Sequence, residues 1–340
     1  YALFSSIDVA VQVCNVAPAA LVLLAPEGWV DANSEHLTCS LLGLGLATAA
    51  WLCLVGSRLQ TASTSLGLLI GAAAAGLVGP TALVCFFPYA ATFRGRVSVA
   101  ALSAGVGACG LAAQILAYAA DGGERFGSRE YFIGVGVVQL AGLLGQAWVR
   151  ANAATAKRSE APRLETEEHK GTLRGWAARH GRGLRSAGEY PLVGVSVTCV
   201  LNFAMPSLLP YLNPSVCDAD ALFWLTALWN GSSVLGRLAA SYPPLRGYVV
   251  ANATQAAILA GAVAAAARAA PPPTAVSLPL VCLSSVLHGL VVTSAFVAAS
   301  NAGGTGYVGL ANQMGALLGS LFALVLVRAG AIPDAGGPTC

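Results

Sequence analysis

Charge is what this chain has least of. Only 10% of its 340 residues are Asp, Glu, Lys or Arg, against 56% that are hydrophobic. A soluble domain of this length needs far more charge to face water, so a water-soluble globular protein is excluded. Catalytic signatures are missing too. The chain has no GxSxG, no HExxH, no phosphate-binding loop and no paired carboxylates within an apolar stretch. An intramembrane enzyme therefore lacks both nucleophile–base and metal pairs. None of the nine cysteines forms a CxxC pair or stands at metal-ligand spacing from a His. No resident cofactor or metal is expected. Nucleic-acid binding is not expected either, because the basic residues are interspersed with acids and form no recognisable module.

What is present is a series of apolar stretches, and the mean hydropathy is +0.70. They run roughly over 1–24, 37–56, 65–87, 97–120, 131–150, 190–211, 221–241, 247–268, 275–299 and 306–328. About 20 apolar residues span a hydrocarbon core as a helix that bonds its own backbone. The expected fold class is all-α: a polytopic membrane bundle of about ten helices, in two halves of the major-facilitator type. The first stretch, which begins at Tyr1 without a basic n-region or an A-x-A site, reads as a spanning helix rather than a signal peptide. Small-residue runs such as Gly71-Ala-Ala-Ala-Ala-Gly76 let helix backbones approach closely in lipid. Gly67xxxGly71 and Gly315xxxGly319 are spaced for such contacts, within the chain rather than as a dimer seam.

Half of the basic residues are gathered in one place. Nine of eighteen lie between Arg150 and Tyr190, with five Glu among them. The expected organisation is a first bundle over 1–150, a hydrophilic cytoplasmic linker over 151–189 and a second bundle over 190–330. A solvated linker is one reading of this segment; resting of its Arg174–Arg185 end on anionic headgroups is another. Positive-inside logic puts the Arg94/Arg96 turn and Pro244-Leu-Arg246 on the linker's side, and the turns at 121–130 and 217–220 on the other. The acidic first loop, Pro26 through Glu35, conflicts with this scheme, because only two helices separate it from Arg94. Either that loop is cytoplasmic, or one helix is missing from the usual plan.

Polar residues inside the stretches are nearly all uncharged. They include Asp8, Gln12, Asn15, Gln114, Gln139, Gln146, Asn202, Asn230, Ser232, Ser233, His288, Asn312 and Gln313. Such groups are costly in lipid and tend to face a bundle interior or a watery cavity. A lining of amides and hydroxyls suits a neutral polar solute with many donors and acceptors. Inter-helix hydrogen bonding explains any one of them equally well, so their number carries the inference. Pro18, Pro80, Pro88, Pro206 and Pro210 mark points where helices are open to interruption, and interrupted helices in two halves often build a transporter's substrate site. Aromatics flank two of them: Phe86, Phe87 and Tyr89 around Pro88, and Phe203 and Tyr211 around Pro206 and Pro210.

Several segments, in order along the chain, resemble the eukaryotic riboflavin transporter family. Gln313-Met-Gly315-Ala-Leu317-Leu318-Gly319-Ser-Leu321 resembles its QVGSLLGAL-like segment. Asn202-Phe-Ala-Met-Pro206-Ser207, followed by Tyr211, is similar to its NGVLPS segment. Phe86-Phe87-Pro88-Tyr89 is similar to its FLPF, and Leu3-Phe4 and Pro26-Glu27-Gly28-Trp29 match its first helix and the loop behind it. Departures stand beside these matches. The glutamate of the family's VELP-like segment is absent from Val16-Ala17-Pro18, Phe203 replaces a glycine, and five helices rather than six precede the large loop. The resemblance implies alternating-access uptake of riboflavin, a small planar solute, across the plasma membrane bilayer. It implies a substrate site of Asn202 and Gln313 bonding the ring's polar edge and Phe87 and Tyr211 stacking on its face. Tyr89, Pro206, Gln114 and Asn312 are its further expected members. The run Trp229-Asn230-Gly-Ser-Ser-Val-Leu-Gly236-Arg237 is similar to a helix of equilibrative nucleoside transporters, the alternative in this class. A membrane receptor or scaffold that binds without transport is the alternative outside it.

Overall fold

The computed structural model describes residues 11, 13–26, 29–59, 66–93, 96–121, 128–152, 173–212, 219–240, 245–268, 272–300 and 304–331. Asp8, Gln12, the Leu3-Phe4 pair, Arg94, Pro244 and residues 122–127, 153–172 and 213–218 lie outside that description. Among the described residues five helices precede the linker: α1 (Val16–Leu24), α2 (Trp29–Leu59), α3 (Leu66–Ala91), α4 (Arg96–Asp121) and α5 (Ser128–Asn152). A short helix, α6 (Leu173–Ala187), forms the end of the linker. After it come α7 (Glu189–Ala204), α8 (Ala219–Ala239), α9 (Tyr248–Ala267), α10 (Thr274–Ser300) and α11 (Thr305–Arg328). Seven helices among the described residues, α2–α5 and α9–α11, are long and apolar enough to cross a bilayer. With α1, α7 and α8 they account for the ten apolar stretches. The chain is a multi-pass, all-helical membrane protein.

Tight pairing comes from small residues. Gly315 and Gly319 of α11 lie against the backbone carbonyls of Ser196 and Val200 in α7, where a Cβ would collide. The expected contact within the chain at this GxxxG is thus present. At Gly188, between α6 and α7, φ is +83°. Its N–H closes onto the carbonyls of Leu184 and Arg185, 3.2 Å away in each case. A left-handed residue here ends α6 and lets the chain turn straight into the apolar helix α7, which glycine allows without steric cost.

One contact settles the parity conflict of the first loop. Arg150 Nε at the end of α5 lies 3.1 Å from Glu35 Oε1 at the start of α2. The acidic segment therefore shares the linker's end of the bundle, with its charge matched by a linker-proximal arginine. Acids steer topology weakly, so nothing opposes this placement. Two further expectations are modified. Pro88 does not interrupt α3, which runs unbroken to Ala91, whereas α7 does stop at Ala204 and gives way to a turn and a 3-10 segment, Leu209–Leu212. The last part of the linker is an ordered amphipathic helix rather than solvated chain. His180 Nδ1 lies 2.9 Å from Tyr307 Oη of α11, and Ala187 is buried.

Candidate functional site

The two sets of helices meet along a seam in which α4 packs on α8 and α10, and α3 packs on α11. At the linker end this seam is closed by two layers of side chains. In one, the Phe87 ring of α3 stacks on Phe296 of α10, with centroids 3.8 Å apart and planes 16° from parallel; both rings are fully buried. In the other, Ser103 Oγ of α4 lies 2.6 Å from Thr293 Oγ1 of α10. Arg237 of α8 joins them: its Nη1 donates to the Ser103 carbonyl at 3.2 Å and to Ser103 Oγ at 3.0 Å. Its Nε reaches Ser233 Oγ at 3.4 Å. A guanidinium buried at this depth is expensive unless its N–H groups are solvated by protein, and this cluster of oxygens does so.

Behind the seam, α7 and α11 hold the expected amides. Asn202, Asn312 and Gln313 are all buried. Cys199 Sγ donates to Asn312 Oδ1 at 2.9 Å. Asn202 Oδ1 is buried without a hydrogen-bond partner. It lies two residues before the end of α7, beside the turn that carries half-buried Pro206. A buried carbonyl oxygen left unbonded costs about 1–3 kcal/mol, so its place at an interrupted helix is significant. A third cluster is structural. Thr198 donates to Gln255 Oε1 at 2.6 Å, and Gln255 Nε2 donates to the Ser284 carbonyl at 2.9 Å, tying α7, α9 and α10 together.

The expected site residues do not all converge. Tyr89 is in the wall of a cavity of about 990 Å³ enclosed by α2, α3, α4 and α5, with Phe86, Phe93 and Gln146. Phe87 faces the other way, and its ring is already stacked, so it offers no face to a solute in this state. Asn202 on α7 and Asn312 and Gln313 on α11 line neither described cavity, and of the three Asn312 is the one bonded across that helix pair, to Cys199. Gln114 is half-buried on α4, and the side chain of Tyr211 lies outside the described residues. Sequence reasoning passed over Ser103, Thr293 and Phe296, which look like ordinary members of apolar helices. Arg237 was the available signal, as an arginine within an apolar stretch. Gly110, whose missing Cβ leaves room for Asn230 of α8, is the other mark of this close approach.

No protein-family model matches the sequence, and no curated protein does. Among solved structures, the crystal structure of an E. coli fucose:proton symporter variant is similar. The likeness covers 97% of this chain and 92% of the symporter chain, with a TM-score of 0.51 and 12% sequence identity. At that identity the likeness speaks for the fold alone. The chain is an all-helical membrane bundle with a major-facilitator-like fold.

Proposed function

We propose that this protein is a transporter that carries a neutral, planar, polar solute across the bilayer by alternating access. Riboflavin is the solute and the plasma membrane the location that the sequence resemblance implies. The observation that carries the reading is Asn202 Oδ1, a buried acceptor without a partner beside the interruption of α7. Broken helices with exposed polar groups are how such folds build solute sites near mid-membrane. The similar solved structure is of a symporter, which favours transport over a receptor or scaffold role. In this reading 1–150 and 190–330 rock against each other, joined by 151–189. Asn202, Asn312 and Gln313 hydrogen-bond the ring edge, and Tyr211 stacks on its face. Phe87, Tyr89, Gln114 and Pro206 complete the path once the Phe87–Phe296 layer separates. Uptake of labelled riboflavin into vesicles, with excess unlabelled riboflavin or uridine, tests it. Competition by riboflavin alone supports the proposal, and competition by uridine alone moves the substrate class to nucleosides. Binding without uptake by folded protein turns the reading to a receptor.

A further inference from the structure

The first-half cavity is separated from the seam by one layer of helix. On α3, Phe86 and Tyr89, and Phe93 just past its end, face the cavity while Phe87 faces Phe296; on α4, Leu102 faces the cavity while Ser103 faces Thr293. Of the path residues proposed above only Tyr89 lines this cavity, so the cavity is a side compartment of that path. Three properties describe what fits it.

Its depth is interfacial. It lies at the end of the bundle where α3 and α5 finish and α4 begins, beside Glu35 and Arg150. Its outer wall is α5, whose apolar span has no buried residue and so faces hydrocarbon. The walls are mostly apolar and aromatic, but Gln146 lines the cavity and its Nε2 is buried without a hydrogen-bond partner. An occupant with a long apolar body and an acceptor oxygen just below its head matches that wall. The rim carries opposite charges. Arg150 stands between Val149 and Asn152, both of which line the cavity, and its Nε pairs with Glu35 while its side chain is 61% exposed. A guanidinium carries further N–H donors beyond Nε. A head with phosphate and ammonium together meets both rim charges; a purely anionic head meets Arg150 but opposes Glu35.

We propose that this cavity binds one aminophospholipid of the linker-side leaflet. Its phosphate rests at Arg150, its ammonium at Glu35, an ester carbonyl accepts from Gln146 Nε2, and an acyl chain lies along Phe86, Phe93, Leu42 and Leu102. Bilayer lipid is the source, since the lipid-facing wall admits a chain sideways from the membrane. The proposal does not rest on transport, and uptake is not its readout.

The full chain, purified and stripped of lipid in mild detergent, is titrated with phosphatidylethanolamine or phosphatidylglycerol. Bound lipid is counted by native mass spectrometry and thermal stability is followed in parallel. Wild type is expected to hold one phosphatidylethanolamine in preference to phosphatidylglycerol and to melt higher with it. Gly142→Phe, which fills the cavity from α5, should abolish that specific copy and the gain in melting temperature. Glu35→Gln, at the half-buried rim, should erase the headgroup preference. Arg150→Gln should weaken binding roughly tenfold, as expected when a charge-assisted hydrogen bond is lost. Equal binding of both lipids by wild type, or an unchanged copy in folded Gly142→Phe, overturns the proposal. If Gly142→Phe does not fold, retention of the preference by Glu35→Gln overturns it instead.

Discussion

The hydroxyls of Ser103 and Thr293 stand 2.6 Å apart across the seam, although 190 positions separate them in sequence. Arg237 bonds the same Ser103 hydroxyl, so three helices share one polar knot. With the Phe87–Phe296 stack it closes the linker end, and in the proposed transport cycle both layers must part.

A disulfide across that knot should therefore hold the end shut. Ser103→Cys combined with Thr293→Cys is expected to lose most solute uptake when oxidised and regain it on reduction. Either single variant should transport in both conditions. Full uptake by the cross-linked double variant counts against a moving seam at this point.

Removing the Ser103 hydroxyl alone takes an acceptor from a buried guanidinium. Ser103→Ala should lower stability by about 1–3 kcal/mol, the usual cost of an unmet buried polar group. Thermal denaturation of the purified protein reads this directly. Thr92→Ala, which removes a hydroxyl bonded only to the nearby Tyr89 carbonyl, serves as the milder comparison.

The α7–α11 crossing should resist enlargement. Gly315→Ala or Gly319→Ala drives a methyl into a facing carbonyl, and overpacking of this kind costs about 1–3 kcal/mol. Gly261→Ala, on an exposed face with nothing within 4 Å, should be neutral or slightly stabilising. Equal melting temperatures for all three variants would contradict the close packing.

Asn202→Ala and Gln313→Ala should raise the KM for the transported solute well beyond any change in expression. Loss of one hydrogen bond to a buried ligand group is worth about 1–3 kcal/mol, or roughly five- to 150-fold. Uptake kinetics normalised to folded protein check it, and an unchanged KM in both variants removes these amides from the site.

The linker's orientation has its own test. A cysteine placed at Ala178, on an exposed position of α6, should stay unlabelled by an impermeant reagent applied to intact cells. Labelling there reverses the orientation read from the basic residues.

The helices were legible because lipid leaves the backbone no other partner, and a run such as 275–299 therefore dictates α10 almost to its ends. The stop at Pro206 was legible for a related reason, since Pro210 follows one turn later. Pro88 carries the same sign with a different outcome: a single lost hydrogen bond near the end of α3 is tolerated when neighbouring helices hold the chain. What could not be read was side-chain partnership at long range. Nothing near Phe87 foretells Phe296, and an arginine at 237 does not name Ser103. Asn202, Asn312 and Gln313 are buried, but composition alone does not say that Tyr89 lines the first-half cavity while Asn202 does not. The charge of the first loop misled because its match, Arg150, is 115 positions away.

The Gly188 turn and the His180–Tyr307 contact weld α6 to the second set of helices. In the proposed rocking motion α6 therefore travels with the second set, and the sequence joining the two sets is the 20 positions 153–172. Cargo domains, protease sites or fluorophores meant to ride between the halves belong in that interval. The same insertions made after Leu173 would pry a packed helix from its seat and report on damage instead of motion.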